Sequence, residues 1–236
     1  MRSFIVLAMF LASFTASAAS DYIETRDLTV DADGLELFFI NAGAGRIDVQ
    51  GVDGMDRIEV KATIVIPDTD EDDALKMIEK KLELGLEKKD SQAVLKSWFE
   101  GGFWGFESGG RVDLEIRAPA TLPISIDDGS GSIKVRNFVS DVRIDDGSGS
   151  IDVRTVGALD IDDGSGSIDA ADVAGDVYVD DGSGGITLDK VGGSVTIDDG
   201  SGSIRVTDVA GDLTILDAGS GSVSFSDIRG TVEQDD

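Results

Sequence analysis

From residue 120 onward, apolar and polar residues alternate in short runs, and each run breaks at a pair of glycines. Val142-Arg-Ile144 alternates, 145–150 is glycine-rich, and Ile151-Asp-Val153 alternates again before Val156 and Leu159-Asp-Ile161 open the next unit. Period-two alternation in runs this short predicts strand, and paired glycines between them predict a tight corner. The phrase Ile126-Asp-Asp-Gly-Ser-Gly-Ser-Ile133 recurs at 144–151, 161–168, 179–186 and 197–204, and more loosely at 216–223. Its first glycines, Gly129, Gly147, Gly164, Gly182, Gly200 and Gly219, lie 17 to 19 residues apart. A fixed short period means a stacked repeat in which no unit buries its apolar face alone. The prediction is an all-β chain: a parallel β-helix, or solenoid, with coils of about 18 residues and Ile and Val stacked inside.

A second corner recurs as Val173-Ala-Gly-Asp-Val177, Val191-Gly-Gly-Ser-Val195 and Val209-Ala-Gly-Asp-Leu213. Small residues there suit a sharp bend over a buried Val. An older copy precedes the array. Ile40-Asn-Ala-Gly-Ala-Gly-Arg-Ile47-Asp-Val49 aligns without gaps on 144–153, and Val52 and Ile58-Glu-Val60 continue the match. The glycines and flanking Ile residues persist in that copy and the Asp pair does not. The corner therefore forms without the carboxylates.

Between the copies the periodicity changes. Over 70–82 the acidic residues come first and lysines last, and Ala74, Met77, Ile78 and Leu82 fall at helical spacing. This predicts one short amphipathic helix covering the β-helix. Residues 82–87, 92–99 and 111–118 read as strands, and 100–110 as a glycine-rich loop carrying aromatics. The expected organisation is a leader (1–18), an N-terminal β region with the degenerate coil, helix and aromatic loop at 98–110 (19–119), and the regular array (120–236).

The leader reads as a secretory signal. Arg2 gives the positive end, 4–14 the apolar run, and Ala16-Ser17-Ala18 the cleavage site. That run is too short to span a membrane. Export then places the mature chain in the periplasm or outside the cell. Cys and His are both absent, so neither disulfides nor imidazole chemistry is available. The formal charge is −27, which excludes a nucleic-acid partner and favours solubility and cations.

This layout resembles the bacterial "putative adhesin" family of β-strand repeats, also known as domain of unknown function 4097. The resemblance rests on Ile47-Asp-Val49 followed by Ile58-Glu-Val60, on Val112-Asp-Leu-Glu-Ile-Arg-Ala-Pro119 leading into the array, and on the repeated Ser-Gly-Ser-Ile. It implies an exported β-solenoid with a structural or adhesive role at the cell envelope. It carries no site motif, and its partner, protein or glycan, is open.

Three groups of residues could carry chemistry. The Asp pairs Asp127/Asp128, Asp145/Asp146, Asp162/Asp163, Asp180/Asp181 and Asp198/Asp199 would stack into ladders in a β-helix. Like charges at that spacing repel, and relief comes from solvation, raised pKa values or bound cations. Calcium is the cofactor their oxygen chemistry suits. The other reading is that each Asp caps its own turn and stays hydrated. Trp98, Phe99, Phe103, Trp104 and Phe106 either cover an open end or present a recognition patch for a partner. A carbohydrate-active enzyme on a β-helix is the third reading. Its weakness is that the carboxylates repeat uniformly, whereas catalysis needs a pair in distinct environments.

Overall fold

A computed structural model describes residues 20–100 and 109–234. The leader, and with it Phe103, Trp104 and Phe106, lie outside the described residues. The chain is almost entirely strand, with one short helix, and forms a parallel β-solenoid of about 6 turns, about 18 residues apart.

The N-terminal elements are β1 (Ser20–Asp31), β2 (Leu37–Val52), β3 (Arg57–Thr69), α1 (Glu71–Lys81), β4 (Leu82–Lys89), β5 (Gln92–Phe99) and β6 (Arg111–Pro119). The array opens with β7 (Ile124–Arg136). Each later coil contributes a short and a longer strand. These are β8 (Val142–Asp146) and β9 (Gly149–Val156), β10 (Leu159–Asp163) and β11 (Gly166–Val173), β12 (Val177–Asp181) and β13 (Gly184–Val191), β14 (Val195–Asp199) and β15 (Gly202–Val209). The last are β16 (Leu213–Asp217), β17 (Ser222–Ile228) and β18 (Val232–Gln234).

Equivalent residues stack in register. Ile126, Ile144, Ile161, Val179 and Ile197 form one column through parallel pairing, and Ile133, Ile151, Ile168, Ile186 and Ile204 another. All ten are at most 1% exposed. The degenerate copy joins the stack as expected: β2 pairs with β7, setting Ile40 on Ile126 and Ile47 on Ile133. The side of β2 away from the array carries β5 and β6.

β5 and β6 still pair parallel with β2, and beyond them the pairing turns antiparallel. β4 adds to β5, β3 to β6 and β1 to β3. α1 lies against β3 and β4. Its N-terminus is capped by Asp70, whose side chain accepts the Asp73 N–H at 2.9 Å, and Lys80 and Lys81 sit at its negative end. Ala74 and Ile78 are the buried face. The predicted cover is therefore present, although the antiparallel strands beneath it are not part of the repeat pattern.

The glycine corner is set by backbone crowding. A Cβ on Gly149, Gly166 or Gly184 would stand 1.6 Å from the carbonyl oxygen of the equivalent glycine one coil earlier. Their φ angles of 150°, 151° and 156° also disfavour any side chain. Backbone hydrogen bonds run from coil to coil through the same corner, as in Gly164 N–H to Asp146 O at 2.8 Å and Gly166 N–H to Ser183 O at 2.9 Å.

Candidate functional site: the carboxylate corner

The two aspartates of each turn part company. Alternation continues past the last Ile of each short strand, so the first Asp points out and the second points in. Asp127, Asp145, Asp162 and Asp180 are exposed and Asp198 is half-buried. Asp128, Asp146, Asp163, Asp181 and Asp199 are buried, at 0–3% exposure. Each set stacks in register on β7, β8, β10, β12 and β14. The ten carboxylates expected as one group thus form two columns, facing solvent and core respectively.

The inward column has a repeated hydrogen-bond pattern. Oδ1 of Asp146, Asp163, Asp181 and Asp199 accepts the N–H of the serine two residues on, at 3.2, 3.1, 3.0 and 2.9 Å. Oδ2 of each is buried without a partner. In Asp128 both oxygens lack one. An ionised carboxylate taken from water with half its lone pairs unmet costs several kcal/mol. Adjacent charges at the strand spacing add about 3 kcal/mol at an effective dielectric near 20.

Protonation relieves both costs. Burial, then the neighbouring Asp146, pushes Asp128 up to about 7, and the nearby Gly129 and Ser130 N–H groups offset only part of this. Burial pushes Asp163 and Asp181 up to about 6 against the opposing serine N–H bonds. It also raises Asp146 and Asp199.

The outward column is solvated and makes no ion pair among the described residues. Asp127 accepts from Asn41 Nδ2 at 3.3 Å. Its carboxyl and that of Asp180 are raised, first by partial burial and then by the next rungs. Beside it on the short strands Arg143 is paired with Asp160, and the outward side of the longer strands carries more ion pairs. There Arg136 pairs with Asp48 at 2.6 Å, Arg154 with Asp152 and Asp169 at 3.1 and 3.0 Å, and Lys190 with Asp189 at 3.4 Å. Among the described residues no three Asp, Glu, His or Cys side chains converge to hold a metal ion. No helix there is long and apolar enough to cross a membrane.

Of the aromatic group, Trp98 and Phe99 are described. Both are half-buried on β5. Trp98 stacks beneath the corner of β2, where a Cβ on Gly43 would stand 2.9 Å from its own Cβ, and Lys96 Nζ lies 5.7 Å from its ring centroid. Phe99 packs on the core, against Gly110 and Ile66.

One residue of each coil takes a left-handed backbone conformation that the repeat pattern does not announce. Asn137, Thr155, Asp172, Lys190, Asp208 and Asp227 hold φ between 54° and 63°, one per coil. Each precedes the second corner and drops out of the ladder, so that Arg154 pairs with Ala171 and Val156 with Val173. The residue types vary too much for a pattern search to find them.

No protein-family model and no curated protein matches the chain. Among solved structures it is similar to a "putative cell adhesion protein" from Clostridium sporogenes (14% identity, TM-score 0.43, 91% of this chain and 100% of that one). It is similar to a "putative adhesin" from Bacteroides fragilis (17%, 0.43, 93% and 100%). A third, from Parabacteroides distasonis, is at 16% and 0.44, with 90% and 97% covered.

Proposed function

We propose that this chain is a non-catalytic, adhesin-like module exported to the cell envelope, a stiff rod that presents one column of unpaired carboxylates. The observation that carries this reading is the outward column Asp127, Asp145, Asp162, Asp180 and Asp198. It runs in register along parallel strands and none of its members is in an ion pair among the described residues, while Arg143 beside it on β8 is held by Asp160 and the outward side of the longer strands carries further pairs. Equivalent rungs supply equivalent environments, which suits repeated weak contacts better than acid–base chemistry at one point. A partner that matches such a face carries spaced positive charge.

The test is binding of the mature chain to isolated cell envelopes at low and physiological salt. The triple variant Asp145→Asn, Asp162→Asn, Asp180→Asn is expected to bind at least about tenfold more weakly, with a flatter salt dependence. These side chains are exposed, so the fold is expected to survive. Equal binding by the two proteins removes the anionic face from the reading. Failure of residues 1–18 to direct a fused reporter out of the cytoplasm removes the envelope.

A further inference from the structure

The inward carboxyls form a continuous column with defined ends. From Asp199 it descends through Asp181, Asp163, Asp146 and Asp128 to Ala42 of β2, and then to Ser97 of β5. Ser97 is 1% exposed, and its Oγ is also without a partner. Ala42 separates it from the carboxyls. At the upper end the register shifts, setting Asp217 opposite Asp198. Asp217 is exposed, and its Oδ1 accepts the Gly219 N–H.

The surroundings supply no counter-charge. Arg143 of β8 points outward and is paired with Asp160; the titratable groups that act on the column are the outward Asp127, Asp145, Asp162, Asp180 and Asp198, with Asp217 above. All are acidic. Across the corner stand the glycines. Oδ2 of Asp181 lies 3.3 Å from where a Cβ on Gly184 would sit. Beyond them is the buried Ile133–Ile204 column. No Lys or Arg pairs with any member of either Asp column among the described residues.

At Asp146, Asp163, Asp181 and Asp199 a carboxylate has one oxygen used by a serine N–H and one without a partner, and at Asp128 neither oxygen has one. A carboxylic acid has a proton on that second oxygen and no charge, so it escapes the larger part of the burial cost and the repulsion between rungs. A column of neutral acids is therefore tolerated where a row of buried, unpaired anions is not. We infer that the inward Asp column is a proton-binding site built into the corner, so that the solenoid takes up protons as it folds.

The sign of the consequence follows from linkage. In the unfolded chain these carboxyls have the ordinary value near 3.8, and in the folded chain Asp128 is at about 7 and Asp163 and Asp181 at about 6. The stability they contribute is complete below about pH 4 and is lost as pH rises through 6 to 7. The rod is firmest on the acid side, opposite to a protein held by paired carboxylates.

The experiment is an infrared pH titration of the mature chain in heavy water with a chelator present, following the C=O stretch of protonated carboxyl groups. That band is expected to persist at pH 6, well above the range of free Asp, and to fade with a midpoint between 6 and 7. Asp128→Asn, Asp163→Asn, Asp181→Asn together are expected to remove most of it and to flatten the fall in Tm between pH 5 and pH 8. Asn keeps the Oδ1 acceptor, and the titration of the unsubstituted chain decides the matter if the variant does not fold. A band already gone at pH 5 overturns the inference. So does a band that millimolar calcium erases at pH 6, because the column would then be a metal site.

Discussion

The two ends of the solenoid solve the same problem differently. At the N-terminal end β5 and β6 are the last strands to pair in parallel, on β2, and their open side is closed by the antiparallel β3 and β4, by β1 and by α1, which buries Ala74 and Ile78. Among the described residues, β17 and β18 at the C-terminal end each pair with one strand, β15 and β16. Phe225 and Val232 there are 45% and 39% exposed, while the residues they stack on, Val206 and Leu213, are at 0%. In a stacked array each coil is stabilised mainly by its neighbours. A coil with two neighbours should therefore feel a substitution far more than a coil with one.

The corner glycines offer the sharpest form of this contrast, because the clash is alike at both places. A Cβ on Gly166 would stand 1.6 Å from Gly149 O, and one on Gly221 would stand 1.4 Å from Gly202 O. In the middle of the array neither coil can move without breaking two interfaces. Gly166→Ala is expected to cost about 3 kcal/mol or more. At the end, β17 can lift from β15 and lose little burial, so Gly221→Ala is expected to cost about 1 kcal/mol. Chemical denaturation of the two variants checks this. Equal losses would show that the last coil is as firmly held as the middle ones.

Core truncation tests the same difference with smaller effects. Ile161 is fully buried between Ile144 and Val179. Ile161→Ala is expected to cost 2–5 kcal/mol, by the usual range for a buried aliphatic cut back to Ala. Phe225→Ala removes a larger side chain that is 45% exposed, and its expected cost is below about 1.5 kcal/mol. A larger loss at Phe225 than at Ile161 would mean that something covers the C-terminal end in solution.

The two ends also differ in how far the sequence announced them. The coil period, both corners, the Ile columns and the match of β2 to the array were legible because one phrase repeats and each copy occupies the same environment. The helix was legible from its own periodicity and charges. β1, and the antiparallel pairing that closes the N-terminal end, were not, because those strands occur once and their partners are set by which coil edge is left open. The split of the Asp pairs was legible in principle. Counting by twos from Val142 and Ile144 places Asp146 inward. Reading each pair as one ladder of charges hid that parity, since a buried, unpaired Asp runs against expectation.

The left-handed residue of each coil gives the smallest effect and the finest test. Thr155 holds φ at 57° in the middle of the array, where its β-branched side chain crowds the backbone. Asn137 fills the equivalent place one coil earlier at φ 63°, and Asn tolerates that region. Thr155→Asn is expected to stabilise the chain by about 1 kcal/mol, read as a rise in denaturation midpoint with an unchanged slope. The gain depends on the coils above and below holding residue 155 in place. Were the strain relieved by local movement, as the single-sided last coil permits at Asp227, the substitution would leave the midpoint where it was. A null result at 155 would thus show that the middle coils are softer than their burial implies, and would narrow the difference between the two regions from the inside.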